Sequence, residues 1–227
     1  MFFDILFPAR CVGCARIGSS ICSNCVKEIY PIQKDLCPGC FQSSPDGKTH
    51  ARCYAKTHLD GALAIVRFCG VTKKIIKEAK YQRAHKALKD FFMHIPKHWF
   101  NKVQKLPYKN ISAALCPIPL HKTRQNIRGF NQAEILANHF KQEIKLPVED
   151  LLVRIKNTPP QAQQKSRALR KANIYGAFQT KISKKLPSTI ILIDDLYTSA
   201  STANEAARTL KKSGTTQVFL LALAHGQ

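Results

Sequence analysis

The sequence has no long apolar run, no secretory leader pattern and few acidic residues. No stretch of its 227 residues approaches the roughly 20 apolar residues that a membrane-spanning helix needs, so we expect no membrane span. The first seven residues are apolar except for Asp4, but they are too short for the apolar core of a signal peptide and include no basic residue, which does not fit a signal peptide. We therefore expect a cytoplasmic protein.

Acidic residues number only 14, against 36 lysines and arginines, which gives a formal net charge of +22. Such a surface attracts polyanions such as nucleic acid, acidic lipid or phosphorylated metabolites. The alternative is a solvated basic surface without a polyanionic partner. The 44% of apolar residues is enough to build a core.

Seven of the nine cysteines lie in a short N-terminal head. Without an export signal, this density favours a metal site over a disulfide framework. Paired CxxC motifs commonly bring four thiolates around tetrahedral zinc, and a head of this size needs such a metal because it can bury little core. The predicted zinc ligands are Cys11, Cys14, Cys22, Cys25, Cys37, Cys40 and Cys53. The spacing also allows a cross-braced pairing of the first two with Cys37 and Cys40. Cys69 and Cys116 are expected to be buried as small apolar residues.

Behind the head, apolar runs alternate with amphipathic stretches. Strands are predicted at 62–68, 112–118, 190–193 and 217–223, with a further short strand at 150–155. Helices are predicted at 71–92, 131–144 and 203–213, and 157–171 is predicted to be a loop. This alternation predicts an α/β fold with a mostly parallel sheet. We assign 1–58 to a zinc-binding domain and 59–227 to the α/β domain.

The most informative stretch follows the strand at 190–193. Asp194 and Asp195 end this strand, and five small or hydroxyl residues, Thr198, Ser199, Ala200, Ser201 and Thr202, lead into a helix. Ligands of open α/β sheets bind beyond the carboxyl ends of the strands, and a helix N-terminus suits a phosphate. Adjacent carboxylates suit ribose hydroxyls, or a cation shared with pyrophosphate. The alternative is a capping box of Thr202 and Glu205, which leaves the two aspartates unexplained.

Residues 190–202 resemble the phosphoribosyl-pyrophosphate (PRPP) motif of type I phosphoribosyltransferases. The resemblance implies that Asp194 and Asp195, also the candidate catalytic residues, hold the ribose. It implies that Thr198, Ser199, Ala200, Ser201 and Thr202 wrap the 5′-phosphate, and that Mg²⁺ accompanies PRPP. Ala200 stands where that family usually has glycine. If this position needs a positive φ, alanine costs about 1 kcal/mol or more.

Two further blocks narrow the resemblance. They are CPIPLHKTR running on to RGFNQ at 116–132, and NTPPQ running on to GAF at 157–178. Together with the head they resemble the ComF (ComFC/GntX-like) family of competence proteins, with a type I phosphoribosyltransferase fold behind a zinc ribbon. Arg124 and Arg128 would line the crevice, where their guanidinium forks suit pyrophosphate or nucleic acid. Lys80 is a third such candidate, on the basic face of the helix at 71–92.

The family's head implies two consecutive zinc ribbons, with Cys11, Cys14, Cys22 and Cys25 in the first. In the second, Lys56 stands where a final cysteine is expected, and His50 or His58 could substitute. The resemblance further implies a PRPP-binding protein that handles single-stranded DNA during natural transformation on the cytoplasmic side, with other DNA-uptake proteins as partners. The alternatives are an active phosphoribosyltransferase with an unidentified acceptor and a non-catalytic PRPP sensor.

Overall fold

Four parallel strands form the main sheet of the computed structural model, which describes residues 9–79, 85–108, 111–158, 167–181 and 185–226. They are β1 Gly61–Arg67, β2 Ala113–Pro117, β5 Thr189–Tyr197 and β6 Gln217–His225. The spatial order is β1-β6-β5-β2. Residues 190–193 are fully buried at the centre, as four consecutive branched side chains predict for a strand covered on both faces.

The strands end at different heights. Pro117, the last residue of β2, pairs with Ile193, whereas β5 continues through residues 194–197. Among the described strands, β6 alone pairs with this extension, up to the partners Tyr197 and His225. The side of β5 that faces away from β6 is therefore open beyond Pro117, at the carboxyl edge where open α/β sheets bind ligands.

Helices cover both faces of the sheet, and a short antiparallel pair lies outside it. The helices are α1 Ser23–Val26, α2 Gly70–Glu78, α3 His85–Met93, α4 Lys122–Arg128, α5 Gln132–Ile144, α6 Arg167–Ile174 and α7 Ser201–Lys212. The antiparallel pair is β3 Leu152–Arg154 with β4 Phe178–Thr180. Side chains of β5 alternate between two cores, since Ile191 and Ile193 pack with α2, α3 and α5, while Ile190 and Leu192 pack with α6 and α7.

The head is attached to the α/β part on two sides. Cys11, Cys25 and Ile29 share the core of α2, α3 and α5. The Ile32 N–H donates to Ile65 in β1 at 3.0 Å. On the opposite side, the Asn204 Oδ1 of α7 accepts hydrogen bonds from the Thr57 hydroxyl and the His58 N–H, at 2.8 and 2.6 Å. The boundary between residues 58 and 59 stays a prediction.

Some of the predicted elements are present, and others were wrong. Residues 157–171 were predicted to be a loop, but α6 begins within them. The prediction followed from Pro159 and Pro160 and overlooked that no helix breaker follows them before Gly176. The strand predicted at 150–155 pairs with β4 outside the main sheet. The helix predicted at 71–92 is present as α2 and α3, and residues 80–84 lie outside the described part. Cys116 is fully buried as expected, whereas Cys69 is only partly buried.

The capping box that was the alternative interpretation of Thr202 and Glu205 is absent. Helix α7 begins one residue earlier, with Ala200 at its N-cap, so Thr202 lies within the first turn. The buried Glu205 instead accepts a hydrogen bond from the Gly176 N–H at 2.7 Å and forms an ion pair with Arg208. Its role is to join α7 to the end of α6.

Replacing Glu205 by alanine should therefore destabilise the protein by about 2 to 3 kcal/mol, because the Arg208 guanidinium and the Gly176 N–H lose their acceptor. Urea denaturation followed by circular dichroism measures this change. The matched control is Thr202→Ala, which should cost less than about 0.5 kcal/mol if Thr202 caps nothing. Comparable losses in the two variants would instead support the capping box.

Candidate zinc clusters and anion-binding cleft

Four cysteines form the first cluster in the head. The Sγ atoms of Cys11, Cys14, Cys22 and Cys25 all lie within 4.8 Å of one another, and those of Cys14 and Cys22 are 3.6 Å apart. Tetrahedral zinc with Zn–S bonds of about 2.3 Å sets its sulfur ligands about 3.8 Å apart, so this donor set fits the ion. The grouping is that of two consecutive ribbons and not of the cross-braced alternative.

The second cluster contains a histidine. Cys37, Cys40, His50 and Cys53 bring their ligand atoms within 4.8 Å of one another, and His50 Nδ1 lies 3.4 Å from the Cys40 Sγ. The sequence left the fourth ligand open between His50 and His58, and the structure places His50 in the cluster. The spacing His50-x-x-Cys53, which matches that of a CxxC motif, is the sequence signal that favours it over His58.

Backbone amides stabilise thiolates in both clusters. Burial raises the pKa of Cys11, but hydrogen bonds from the amides of Cys22, Cys14 and Gly13 outweigh it and bring the pKa to about 6. The pKa of Cys37 is lowered in the same way, against its burial, by the amides of His50, Cys40 and Gly39. Because the thiolate is the metal-binding form, these amides prepare both clusters for zinc.

We expect two zinc ions per chain. His50→Ala should reduce the zinc content measured by mass spectrometry of the purified protein to about one, because three thiolates hold zinc less tightly than a complete tetrahedral set. His58→Ala is the control and should retain both ions. Loss of zinc from the His58 variant, with none from the His50 variant, would reverse the assignment.

A cleft of about 450 Å³ opens where β5 extends past β2. It brings together every predicted PRPP-site residue and both predicted arginines, while Lys80 lies outside the described residues. The polar side chains that line it include Arg124, Arg128, Arg154, Arg170, Asp194, Asp195, Thr198, Ser199, Ser201 and Thr202. Acidic and basic groups therefore share one cavity next to the start of α7.

The two aspartates are close enough to influence each other. The Asp195 N–H donates to the Asp194 carboxylate at 2.8 Å. Burial and then the charge of Asp195 raise the pKa of Asp194 well above its ordinary value, although the Arg154 guanidinium opposes the shift. Such a carboxylate gains from a cation or from hydroxyl donors.

The loop between β5 and α7 has the geometry of an anion site. Its Ala200 is buried at φ 55°, so the positive φ anticipated for this position is present, at a cost of about 1 kcal/mol for alanine. The first N–H groups of α7 have no acceptor within the helix. The hydroxyls of Ser199 and Ser201 lie 3.0 Å apart beside them.

Arg154 is the site residue that the sequence reasoning missed. Its side chain is 7% exposed, its guanidinium lies over the Phe178 ring, and it donates to the Thr158 hydroxyl at 2.6 Å. Its Nε has no hydrogen-bond partner among the described residues. Burial and then the charges of Arg124 and Arg128 lower its pKa to about 10. The sequence signal that could have identified Arg154 is its position two residues after Leu152, because alternate residues of a strand point to the same face.

Comparison with known proteins gives two kinds of match. A double zinc ribbon domain matches residues 2–54. The competence protein ComFC of Bacillus subtilis is 28% identical over 215 residues, which cover 90% of this chain and 83% of that protein. Competence protein F of Haemophilus influenzae is 32% identical over 114 residues, 49% of each chain. This chain is a relative of the ComF competence proteins.

Solved structures resemble this ComF relative only distantly. An allosteric regulatory enzyme of purine biosynthesis has a TM-score of 0.33 at 14% identity, covering 84% of this chain and 31% of that one. Adenine phosphoribosyltransferase of Leishmania tarentolae has a TM-score of 0.32 at 12% identity, covering 68% and 74%. Scores of this size carry little structural information. The parallel sheet and the match to the head confirm the predicted fold class.

The described residues of this ComF relative contain no helix that is long and apolar enough to cross a membrane.

The raised pKa of Asp194 makes this residue a cost to stability at neutral pH. A carboxyl whose pKa is raised on folding destabilises the protein most at a pH above its folded-state pKa, where it is ionised. This destabilisation disappears as the pH falls toward the pKa of the carboxyl in the unfolded chain. Asp194→Asn should therefore raise the melting temperature at pH 7.5, and the gain should shrink toward pH 4. Asp150→Asn is the control, since its exposed ion pair with Lys181 contributes little. A lower melting temperature for Asp194→Asn at pH 7.5 would contradict this reasoning.

Proposed function

We propose that this ComF relative binds PRPP with Mg²⁺ in the cleft and handles single-stranded DNA during natural transformation, in the cytoplasm and together with other DNA-uptake proteins. The observation that carries the proposal is the position of Asp194 and Asp195 on the open end of β5, in the same cleft as the start of α7. Acceptors for a sugar or cation thus lie beside donors for a phosphate.

The 5′-phosphate would occupy the start of α7. The N–H groups of its first turn, which have no acceptor within the helix, and the hydroxyls of Ser199, Ser201 and Thr202 supply donors, and the helix dipole favours the negative charge. The buried Ala200 methyl lies beneath this loop, in the core shared with α7. The loop therefore keeps its shape without glycine.

The ribose and Mg²⁺ would lie against Asp194 and Asp195. Carboxylates accept hydrogen bonds from sugar hydroxyls and are the usual protein ligands of Mg²⁺, which otherwise keeps water and phosphate oxygens. Burial and then the charge of Asp195 raise the pKa of Asp194, and a cation bound there would offset the repulsion between the two carboxylates. The ligand would thus relieve an electrostatic cost already present in the fold.

The diphosphate would lie against Arg124, Arg128 and Arg154. A buried guanidinium beside two others is costly unless an anion compensates it. The Nε of Arg154 has no partner among the described residues, and guanidinium forks bind phosphate oxygens in pairs. The cleft volume of about 450 Å³ lies in the range of small-ligand sites.

Single-stranded DNA binding is supported by the charge of +22 and by the competence relatives. On the predicted basic face, Lys73 and Lys89 are exposed and Lys77 lines the cleft. Lys74 instead donates to the Gly13 carbonyl in the head. The aromatic side chain of Phe100 is buried in the core and cannot stack on a base.

PRPP with Mg²⁺ should raise the melting temperature of the wild-type protein by mass action. The shift should disappear in the double variant Asp194→Asn/Asp195→Asn and shrink in Arg154→Met, which keeps an unbranched, largely apolar side chain of similar length. Differential scanning fluorimetry over a PRPP titration measures it. Asp150→Asn controls for the loss of a carboxylate elsewhere. An undiminished shift in the double variant would place the ligand outside this cleft.

The logarithm of the association constant for a fluorescent oligothymidylate should fall linearly with the logarithm of the salt concentration. The reason is that each phosphate neutralised by the protein releases counterions. Lys73→Gln should reduce the slope by about 0.7 if its ammonium contacts one phosphate. Lys212→Gln, an exposed change of equal charge on α7, should leave the slope unchanged. Fluorescence anisotropy measures both, and binding that does not depend on salt would argue against DNA handling through this surface.

A further inference from the structure

A second cleft, of about 300 Å³, lies between the head and the carboxyl edge of β1 and β6. Its floor includes Ile32, Phe68 and His225, and its rim consists of Gln33, Lys34 and Arg67. The rim is fixed to the sheet, since the Arg67 N–H donates to the Tyr30 carbonyl at 2.8 Å. The PRPP proposal uses none of these polar residues.

The floor of this cleft combines the aromatic ring of Phe68 with the imidazole of His225, one nitrogen of which lacks a hydrogen-bond partner among the described residues. His225 is 7% exposed, and its Nε2 has no hydrogen-bond partner among the described residues. Burial lowers the pKa of His225, so the ring is neutral at neutral pH and offers one donor and one acceptor nitrogen. Ring contacts with Phe41 and Tyr197, at centroid distances of 6.5 and 4.5 Å, hold it in place. A buried polar atom without a partner indicates a missing ligand or water.

The rim combines an amide with two cations. Gln33, Lys34 and Arg67 are exposed, and none of the described residues that line this cleft is acidic. A side-chain amide can pair with a donor and an acceptor together, as the edge of a base requires, and the two cations suit a phosphate. An apolar ring site below a cationic rim is the combination that nucleotide units need.

The two clefts adjoin each other. Phe68 lines both of them, and its ring lies with the Thr198 side chain around Gly226. A ligand in the second cleft would therefore lie next to the loop between β5 and α7.

We propose that the second cleft binds the base of a nucleotide. The base lies on Phe68 and forms hydrogen bonds with Gln33 and His225, while Lys34 and Arg67 contact the attached phosphate. The nucleotide comes from single-stranded DNA or from a free mononucleotide. The first source extends the proposed DNA function, whereas the second does not depend on it.

The probes are 2-aminopurine riboside 5′-monophosphate and an oligothymidylate with one central 2-aminopurine. Stacking on Phe68 should change the fluorescence of at least one probe on binding to wild-type protein. Gln33→Leu and His225→Phe, which keep the side-chain shape but remove the hydrogen-bonding groups, should each weaken binding by about fivefold or more. Gln42→Leu, an exposed amide elsewhere on the head, should bind like wild type.

A response of the oligonucleotide alone identifies DNA as the source, and a response of the monophosphate alone identifies a free nucleotide. Unchanged fluorescence with both probes, or equal binding by wild type, Gln33→Leu and His225→Phe, would overturn the proposal. The PRPP melting shift is measured on the same variants. A retained PRPP shift without a base response rejects only the second cleft, whereas a base response without any PRPP shift rejects only the PRPP site.

Discussion

The unequal length of neighbouring strands is the constraint on which the site depends. Because β5 continues for residues 194–197 beyond the last residue of β2, no strand of the described part of the chain lies beside its carboxylates on that side. Parallel pairing with β6 keeps this extension in the sheet, and α7 begins after a loop of three residues. The chain thus places two acidic groups and a helix N-terminus within one cavity. Arg154 reaches the same cavity from β3.

The head contributes to this geometry beyond holding zinc. Phe41, which directly follows the cluster residue Cys40, contacts the rings of Tyr197 and His225 at the ends of β5 and β6. On α7, Asn204 accepts hydrogen bonds from the segment after Cys53. The segments next to the second cluster therefore contact residues at both ends of the loop between β5 and α7. The same contacts thus join the zinc-binding head to the loop between β5 and α7.

Much of the fold could be predicted because local pattern and tertiary environment agree. The run at 190–193 indicates a central strand from composition alone, and the acidic pair followed by small residues indicates a ligand edge. The head was predictable because CxxC spacing reflects the geometry of tetrahedral coordination.

Other features depend on contacts between distant segments. Glu205 fits a capping box in sequence but pairs with Arg208 and Gly176, which no local pattern shows. Arg154 could not be assigned to the cleft until β3 was known to lie outside the main sheet. The spacing of His50 and Cys53 favoured His50 over His58, but only the fold shows that its ring nitrogen meets the three sulfurs.

A crystal structure of the protein with PRPP and Mg²⁺ tests the central claim most directly. We predict electron density for the 5′-phosphate at the first turn of α7, for the ribose and Mg²⁺ beside Asp194 and Asp195, and for the diphosphate within hydrogen-bond distance of Arg154. Density for PRPP elsewhere on the protein, or in the cleft without contact to the two aspartates, would contradict the account.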